Sequence, residues 1–316
     1  MKRCILWICA ALLVLSLLSI PVGYWVGTWA LHPTRRDLTP QMISEAEAVF
    51  RQAHATKEDL DVTASDGVTL RAWLVRPAAS TSEEKEPLEW VLIFHGIADN
   101  RMGVFGQATF LLRAGYGIVL MDSRAHGESG GAMTTLGWKE RDDVRAILTA
   151  LESRERPRCI FALGVSMGAS IALQAAAEDP RIAGVIAEAP FSSLREVGYD
   201  YAGLRLSPWL GRTLFRPGLE AGLIAIKRES GFSVDAISPV SSVSARAFPV
   251  FLISDGDDRT IPTRHDEAIY KAAKGPKRIW NVSNAPHAAG LGTAPEEYES
   301  RCLDFLHSIQ CKGPTQ

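Results

Sequence analysis

The chain is expected to fold as an α/β domain, a mostly parallel central sheet with helices on both faces, behind an apolar N-terminal segment. Three observations lead there. Solid apolar runs of five to eight residues recur along the chain, as in strands buried on both faces. Amphipathic or small-residue segments of helical length alternate with them, the pattern of a parallel sheet wrapped by crossover helices. Before this rhythm begins, residues 4–34 carry no Lys, Arg, Asp or Glu.

The bulk numbers suit one large globular domain. The 316 residues are 47% hydrophobic and 22% charged, with a formal net charge of −2. Charges of both signs are interspersed. No basic patch points to nucleic acid and no acidic tail to a disordered effector, so no nucleic-acid partner is expected. The five cysteines do not read as a framework. Cys4 and Cys9 lie in the apolar segment, and Cys159 opens an apolar run and reads as core. Cys302 and Cys311 would sit about 13 Å apart on one continuous helix, so they pair only if the helix ends between them. There is no CxxC and no zinc spacing, and neither a metal nor a cofactor is expected.

The N-terminal run, CILWICAALLVLSLLSIPVGYWVGTWALHP, follows Lys2 and Arg3. About 20 apolar residues span a bilayer as a helix. Trp7, Tyr24, Trp25 and Trp29 fall towards its two ends, where interfacial aromatics belong. Residues 5–29 are therefore read as a membrane contact, an anchor within residues 1–33. A cleaved signal peptide competes: a basic start, apolar residues 5–20, a break at Pro21, then small Thr28 and Ala30. Bulky Tyr24, Trp25 and Trp29 make a poor cleavage region. Either reading sends the following domain across a membrane. The N-terminus is taken as inside, because this segment comes first and a long domain follows it.

Residues 34–56 read as a short polar linker and a helix over 41–55. A domain over 57–311 follows. Its first part, 59–77, alternates apolar residues around Asp66-Gly67, a hairpin signal. Residues 80–87 form a polar loop. Strands are expected at 89–96, 117–122, 159–163, 182–189, 248–254 and 277–282. Helices are expected at 105–114, 139–153, 167–178, 262–274 and 295–309. Residues 191–240 break the rhythm and read as an insertion. In such sheets ligands bind at the carboxyl ends of the strands.

Gly-x-Ser-x-Gly occurs twice, in HGESGGA (126–132) and in LGVSMGA (163–169). Alone it is a weak pattern. A nucleophile elbow needs a strand running straight into a helix, with glycines where side chains would collide. Ser166 has that setting. Ser129 comes seven residues after its strand and is followed by GGAMTT, a poor helix start. Ser166 is the nucleophile candidate and Ser129 a loop residue. A serine hydroxyl needs a neighbouring base. Of the seven histidines, His287, in SNAPHAAG after the last strand, has small neighbours that leave its ring room to reach across the strand ends. His265 and His307 fall in helical patterns, solvated or packed. An orienting carboxylate must come from SDGDDRTIP (254–262), which offers Asp255, Asp257 and Asp258.

These stretches resemble the α/β-hydrolase superfamily over roughly residues 57–310. FHGIADNR, MDSRAHGESGG, ALGVSMGASIAL, DDRTIP and APHAAG carry the likeness. It is nearest to membrane-anchored bacterial members and BEM46-like hydrolases. The order Ser166, Asp258, His287 is that fold's order. The resemblance selects Asp258 over Asp255 and Asp257. It makes the loop of Asp122, Arg124, Gly127 and Ser129 structural, and it implies oxyanion amides from Ile97 and Met167. It further implies a serine hydrolase cleaving carboxylic esters of small-molecule or lipid-like acyl substrates through an acyl-enzyme. An amidase or aminopeptidase with the same three residues is the alternative, and an acidic residue such as Glu220 or Glu229 placed to bind a free amine would favour it. A non-catalytic binding protein on the same fold is a further alternative. The insertion, with Phe191, Tyr199, Tyr201, Trp209, Phe215 and Phe232, is either a lid lining an acyl pocket or a helical unit packed on itself.

Overall fold

The computed structural model describes residues 2–78 and 88–311; the expected loop at 80–87 lies outside the described residues. An eight-stranded sheet runs through the domain in the order β1-β2-β4-β3-β5-β6-β7-β8. The strands are β1 (Thr56–Thr63), β2 (Thr69–Arg76), β3 (Glu89–Phe94), β4 (Gly117–Met121), β5 (Cys159–Val165), β6 (Ile182–Glu188), β7 (Val250–Asp255) and β8 (Lys277–Val282). The β1–β2 hairpin and the β2–β4 pair are antiparallel, and every later pairing is parallel.

The strand pattern follows burial. Every residue of β4 and β5 is buried, because helices cover both faces of the sheet there. The antiparallel edge strand β1 alternates in its second half. On one face α4 (Glu140–Arg154), α5 (Met167–Glu178) and α9 (Pro239–Ala245) close a core containing Val144, Ile147, Ile171 and Val243. On the other, α2 (Pro40–Gln52), α3 (Phe105–Arg113) and α12 (Pro295–His307) contribute Phe50, Phe110, Tyr298 and Phe305. Each fully buried aliphatic or aromatic side chain contributes about 1.5–3 kcal/mol. β3 lies between β4 and β5, so the connections diverge at its carboxyl end and leave a crevice there.

Between β6 and β7 the chain inserts α6 (Leu194–Ala202), α7 (Pro208–Arg212), α8 (Arg216–Ser230) and α9. α10 (Arg264–Ala272) and the one-turn α11 (Gly290–Thr293) complete the domain. The base of the insertion is clamped to α10. His265 is fully buried, and its Nε2 faces Asp200 Oδ2 at 2.7 Å. Its Nδ1 accepts from the Ser192 amide, so the ring proton sits on Nε2 and points at the carboxylate. Arg264 reaches both Glu196 and Asp200.

The apolar N-terminal segment is one helix, α1 (Lys2–Ala30), with mean hydropathy 2.6 over its most apolar window. It is long and apolar enough to cross a membrane. The segment after it, polar in sequence, is not slack. Leu31 is fully buried. Arg35 donates to the carbonyls of Gly127 and Gly131 at 3.0 and 3.2 Å, and Arg36 pairs with Asp99 at 2.6 Å. His32 meets Glu229 of α8 at 2.5 Å, which raises the imidazole's affinity for its proton.

The cysteine reading needs correction. Cys159, expected as core, is disulfide-bonded to Cys311, with Cα atoms 5.5 Å apart. α12 ends at His307, so the last residues turn back to the first residue of β5. Cys302 stays on the helix as a buried free thiol. The link closes a loop of 152 residues, and constraining the unfolded chain over that length is worth about 4–5 kcal/mol.

Candidate active site at the strand carboxyl ends

β5 leads without a spacer into α5, and Ser166 is the joint. Its φ of 57° and ψ of −118° lie where a side chain is rarely tolerated, a strain of about 1–3 kcal/mol held by the surrounding packing. Two glycines make the turn possible. A Cβ on Gly164 would stand 2.3 Å from the Gly168 carbonyl oxygen, and one on Gly168 would stand 2.3 Å from the Phe94 carbonyl oxygen. The Ser166 amide donates to Glu188 O at 2.8 Å. These contacts lift the hydroxyl off the end of the sheet.

The hydroxyl meets His287. Ser166 Oγ is 2.8 Å from His287 Nε2, and His287 Nδ1 is 2.6 Å from Asp258 Oδ2. The other Asp258 oxygen accepts from the amides of Thr260 and Ile261 at 2.7 and 2.8 Å, which fixes the carboxylate plane. Three loops, after β5, β7 and β8, thus bring residues 166, 258 and 287 into one hydrogen-bonded chain. Asp257 points elsewhere, exposed beside Arg259 at 3.5 Å. Asp255 is buried and braces the histidine loop, accepting from the Ala288 amide at 2.7 Å.

Beneath this chain lies a set of buried acids, of which sequence reasoning had named Asp255 but missed Glu188 and Asp266. Glu188 accepts from the Gly290 amide at 2.8 Å and from the Tyr298 hydroxyl at 2.7 Å. Burial pushes its proton affinity up. Asp255 rises to about 8, through burial first and the Glu188 charge second. Asp266 is also pushed well up by burial and accepts from Ser254 at 2.8 Å. At neutral pH Asp255 therefore keeps its proton, and burial disfavours the charge on Glu188 and Asp266. The one sequence signal was Glu188 itself, a carboxylate closing an otherwise apolar strand.

On the opposite side of Ser166, β3 ends in His95-Gly96-Ile97. A Cβ on Gly96 would lie 3.6 Å from the Ser166 Cβ, so the backbone at Gly96 passes directly beside Ser166. His95 Nε2 accepts from the Ser123 amide, and its Nδ1 faces Gly96 O at 2.7 Å. Burial lowers its proton affinity, so a neutral ring holds this turn. Met167 opens α5, whose amino end directs positive dipole towards Ser166.

Ser129 has a different task. It is fully buried. Its hydroxyl donates to Asp122 O at 2.7 Å and accepts from the Arg71 amide at 2.8 Å, tying the loop to β2. The same loop holds the buried pair Arg101–Asp122 at 2.6 Å and buries Arg124 against Asp143. Of the insertion's aromatics, Phe191 and Phe232 are in the core, whereas Tyr201 and Trp209 face outwards.

The sheet order, the elbow and the flanking helices are those of the α/β-hydrolase fold. The family described as serine aminopeptidase, S33, matches residues 85–226. The uncharacterised protein YqkD of Bacillus subtilis (strain 168) is 28% identical over 224 residues, covering 69% of this chain and 71% of that one. The uncharacterised protein Rv2307c of Mycobacterium tuberculosis is 29% identical over 231 residues, 72% of each chain. Among solved structures, the Pyrococcus furiosus esterase Pf2001 superposes with a TM-score of 0.67 at 24% identity, covering 88% of this chain and 99% of that one. An acylaminoacyl peptidase of Pyrococcus horikoshii superposes with a TM-score of 0.62 at 15% identity, over 85% of this chain and 44% of that one. At these identities the structural likenesses carry the fold alone.

Proposed function

We propose that the chain is a membrane-anchored serine hydrolase that cleaves carboxylic esters of acyl substrates. The observation that carries this is the Ser166–His287–Asp258 chain, 2.8 and 2.6 Å at its two links. Ser166 Oγ attacks the acyl carbonyl while its proton passes to His287 Nε2. Asp258 holds the ring in the required tautomer and stabilises the imidazolium. The amides of Ile97 and Met167 receive the developing oxyanion, worth about 3–4 kcal/mol per donor. His287 returns its proton to the leaving alcohol as the acyl-enzyme forms. Water, deprotonated by the same imidazole, then releases the acid.

The aminopeptidase reading has one observation in its favour, the description of the matching family. The insertion speaks against it. All five acidic side chains of residues 191–240, Glu196, Asp200, Glu220, Glu229 and Asp235, are already ion-paired. None is free to receive a substrate's amino group.

The anchor reading rests on the length and apolarity of α1. The burial of Leu31 and the pairing of His32 with Glu229 support its retention rather than cleavage. The Cys159–Cys311 link suits an oxidising compartment, which supports an extracytoplasmic domain. Labelling by a fluorophosphonate probe tests the chemistry: the wild type and Ser129→Ala label, and Ser166→Ala does not. A panel of p-nitrophenyl esters and matching anilides then sets ester against amide. Rates falling steadily with acyl length would remove the lipid-like substrate.

A further inference from the structure

α1 does not hang free of the domain; it is zipped to the insertion. Ser19, Gly23 and Gly27 recur every four residues on one face of α1, and Gly218 and Gly222 do so on α8. The backbones touch along this seam. A Cβ on Gly23 would fall 1.9 Å from Gly218 O, one on Gly27 2.3 Å from Gly222 O, and one on Gly218 2.6 Å from Ser19 O. This is the close approach that small residues allow between helices in lipid. His32 against Glu229 continues the pairing beyond it. Residue numbers rise together on both helices, so α1 and α8 run parallel.

The parallel sense decides what lies nearest the bilayer. Residues 2–18 of α1 project beyond the seam, all but Ser16 exposed. At 1.5 Å per residue they reach about 26 Å, close to the roughly 30 Å of a hydrocarbon core. The first turn of α8, level with Ser19–Gly23, then falls at the headgroup boundary. α7 abuts that turn, since the Phe215 amide donates to Leu210 O at 2.9 Å. The turn before α7 exposes Leu204 (62%) and Leu206 (80%), and α7 itself exposes Trp209 (65%). Residues 201–219 carry three arginines, Arg205, Arg212 and Arg216, and no acidic residue.

We propose that the α1–α8 seam seats the tip of the insertion, Leu204, Leu206 and Trp209 with Arg205 and Arg216, in the headgroup layer of an anionic bilayer, so that Ser166 draws its acyl ester from that membrane. Apolar side chains buried at the interface and cations at an anionic surface both stabilise such seating. The inference rests on the anchored-hydrolase reading above and adds where its substrate comes from. It also assigns the outward aromatic Trp209 to lipid rather than to the acyl pocket.

The test uses the full chain in phosphatidylcholine vesicles with and without phosphatidylglycerol. In a Cys4→Ser, Cys9→Ser background, Leu206→Cys carries an environment-sensitive fluorophore. Ser153→Cys, exposed at the end of α4 that leads into the start of β5, at the opposite end of the strands from Ser166, is the control. Shallow spin-labelled lipid is expected to quench the Leu206 probe about fivefold more than the control probe, most strongly in anionic vesicles. Adding Gly222→Leu is expected to abolish the difference. Equal quenching of the two probes by aqueous iodide, with none from lipid, overturns the seating. For substrate supply, Leu206→Asp with Trp209→Asp is expected to lower the rate on a long-chain ester in anionic vesicles about tenfold relative to its rate on a water-soluble short ester. An unchanged ratio overturns that part. Fluorophosphonate labelling of the same samples reads the hydrolase chemistry separately, because quenching does not require a working Ser166.

Discussion

Ser166 and Ser129 stand in the same five-residue pattern, yet the fold gives them opposite tasks. Ser129 is consumed by structure: both capacities of its hydroxyl are used, by Asp122 O and by the Arg71 amide, and no surface remains. Ser166 is offered up by structure. Its backbone is held at φ 57° by the Gly164 and Gly168 close approaches, and its hydroxyl meets an imidazole. The glycines serve different ends too. A Cβ on Gly127 would sit 2.2 Å from Asp122 Oδ2, so that glycine lets a loop close over a buried carboxylate. Gly168 lets a helix start against the end of a neighbouring strand. What separates the two serines is where the chain turns, not the residues two positions away.

The largest effect that sharpens this comparison is Ser166→Ala. Ester hydrolysis is expected to fall about 10⁴–10⁶-fold, with a thermal midpoint close to the wild type, since alanine keeps the Cβ and the strained turn. Steady-state kinetics with calorimetry reads both; appreciable residual turnover would break the assignment. Asp258→Asn comes next. It keeps the shape, loses the tautomer control over His287, and is expected to cost about 10⁴ in kcat with KM little changed. Ser129→Ala is the counterpart on the other loop. Removing its hydroxyl orphans the Arg71 amide and the Asp122 carbonyl, so urea denaturation should show a loss of about 1–3 kcal/mol. The rate per folded molecule should stay within about twofold of wild type. A large loss of kcat without a loss of stability would reverse the roles of the two serines.

A last effect is read through pH. Asp255 keeps its proton to about pH 8 in the folded protein, whereas an unfolded aspartate releases it near pH 4. Between those values the folded state binds more protons than the unfolded one. This contribution to stability is therefore complete below about pH 4 and is lost as pH rises to about 8, by at most about 1.4 kcal/mol per unit. Asp255→Asn should flatten that slope across pH 5–8 in denaturant titrations. A slope indistinguishable from wild type would mean that Asp255 is charged.

Much of the fold was legible because local chemistry and tertiary role agree. Helix 167–178 and strand 277–282 were read with the boundaries they have. Other boundaries moved for local reasons. The strand expected at 248–254 starts at Val250, because Pro249 has no amide to give the ladder. The helix expected over 41–55 stops at Gln52, as His54 turns left-handed with φ 51°. Of the site, the strand-to-helix elbow and the small-residue loop around His287 mark residues 166 and 287 by their local setting. The choice among Asp255, Asp257 and Asp258 was not open to residue chemistry alone. All three are carboxylates in one loop, and only the turn made by the Thr260 and Ile261 amides aims the third at the imidazole.

The sequence by itself determined the periodic elements, the apolar N-terminal helix, and which serine follows a strand into a helix. Each is written in neighbouring residues. Tertiary structure alone decided the contacts between residues far apart in the chain. It joined Cys159 to Cys311 across 152 residues, set Glu188 beneath the His287 loop, and laid α1 along α8. No local pattern encodes such meetings, because their energy comes from surfaces that exist only once the sheet has brought its two ends together.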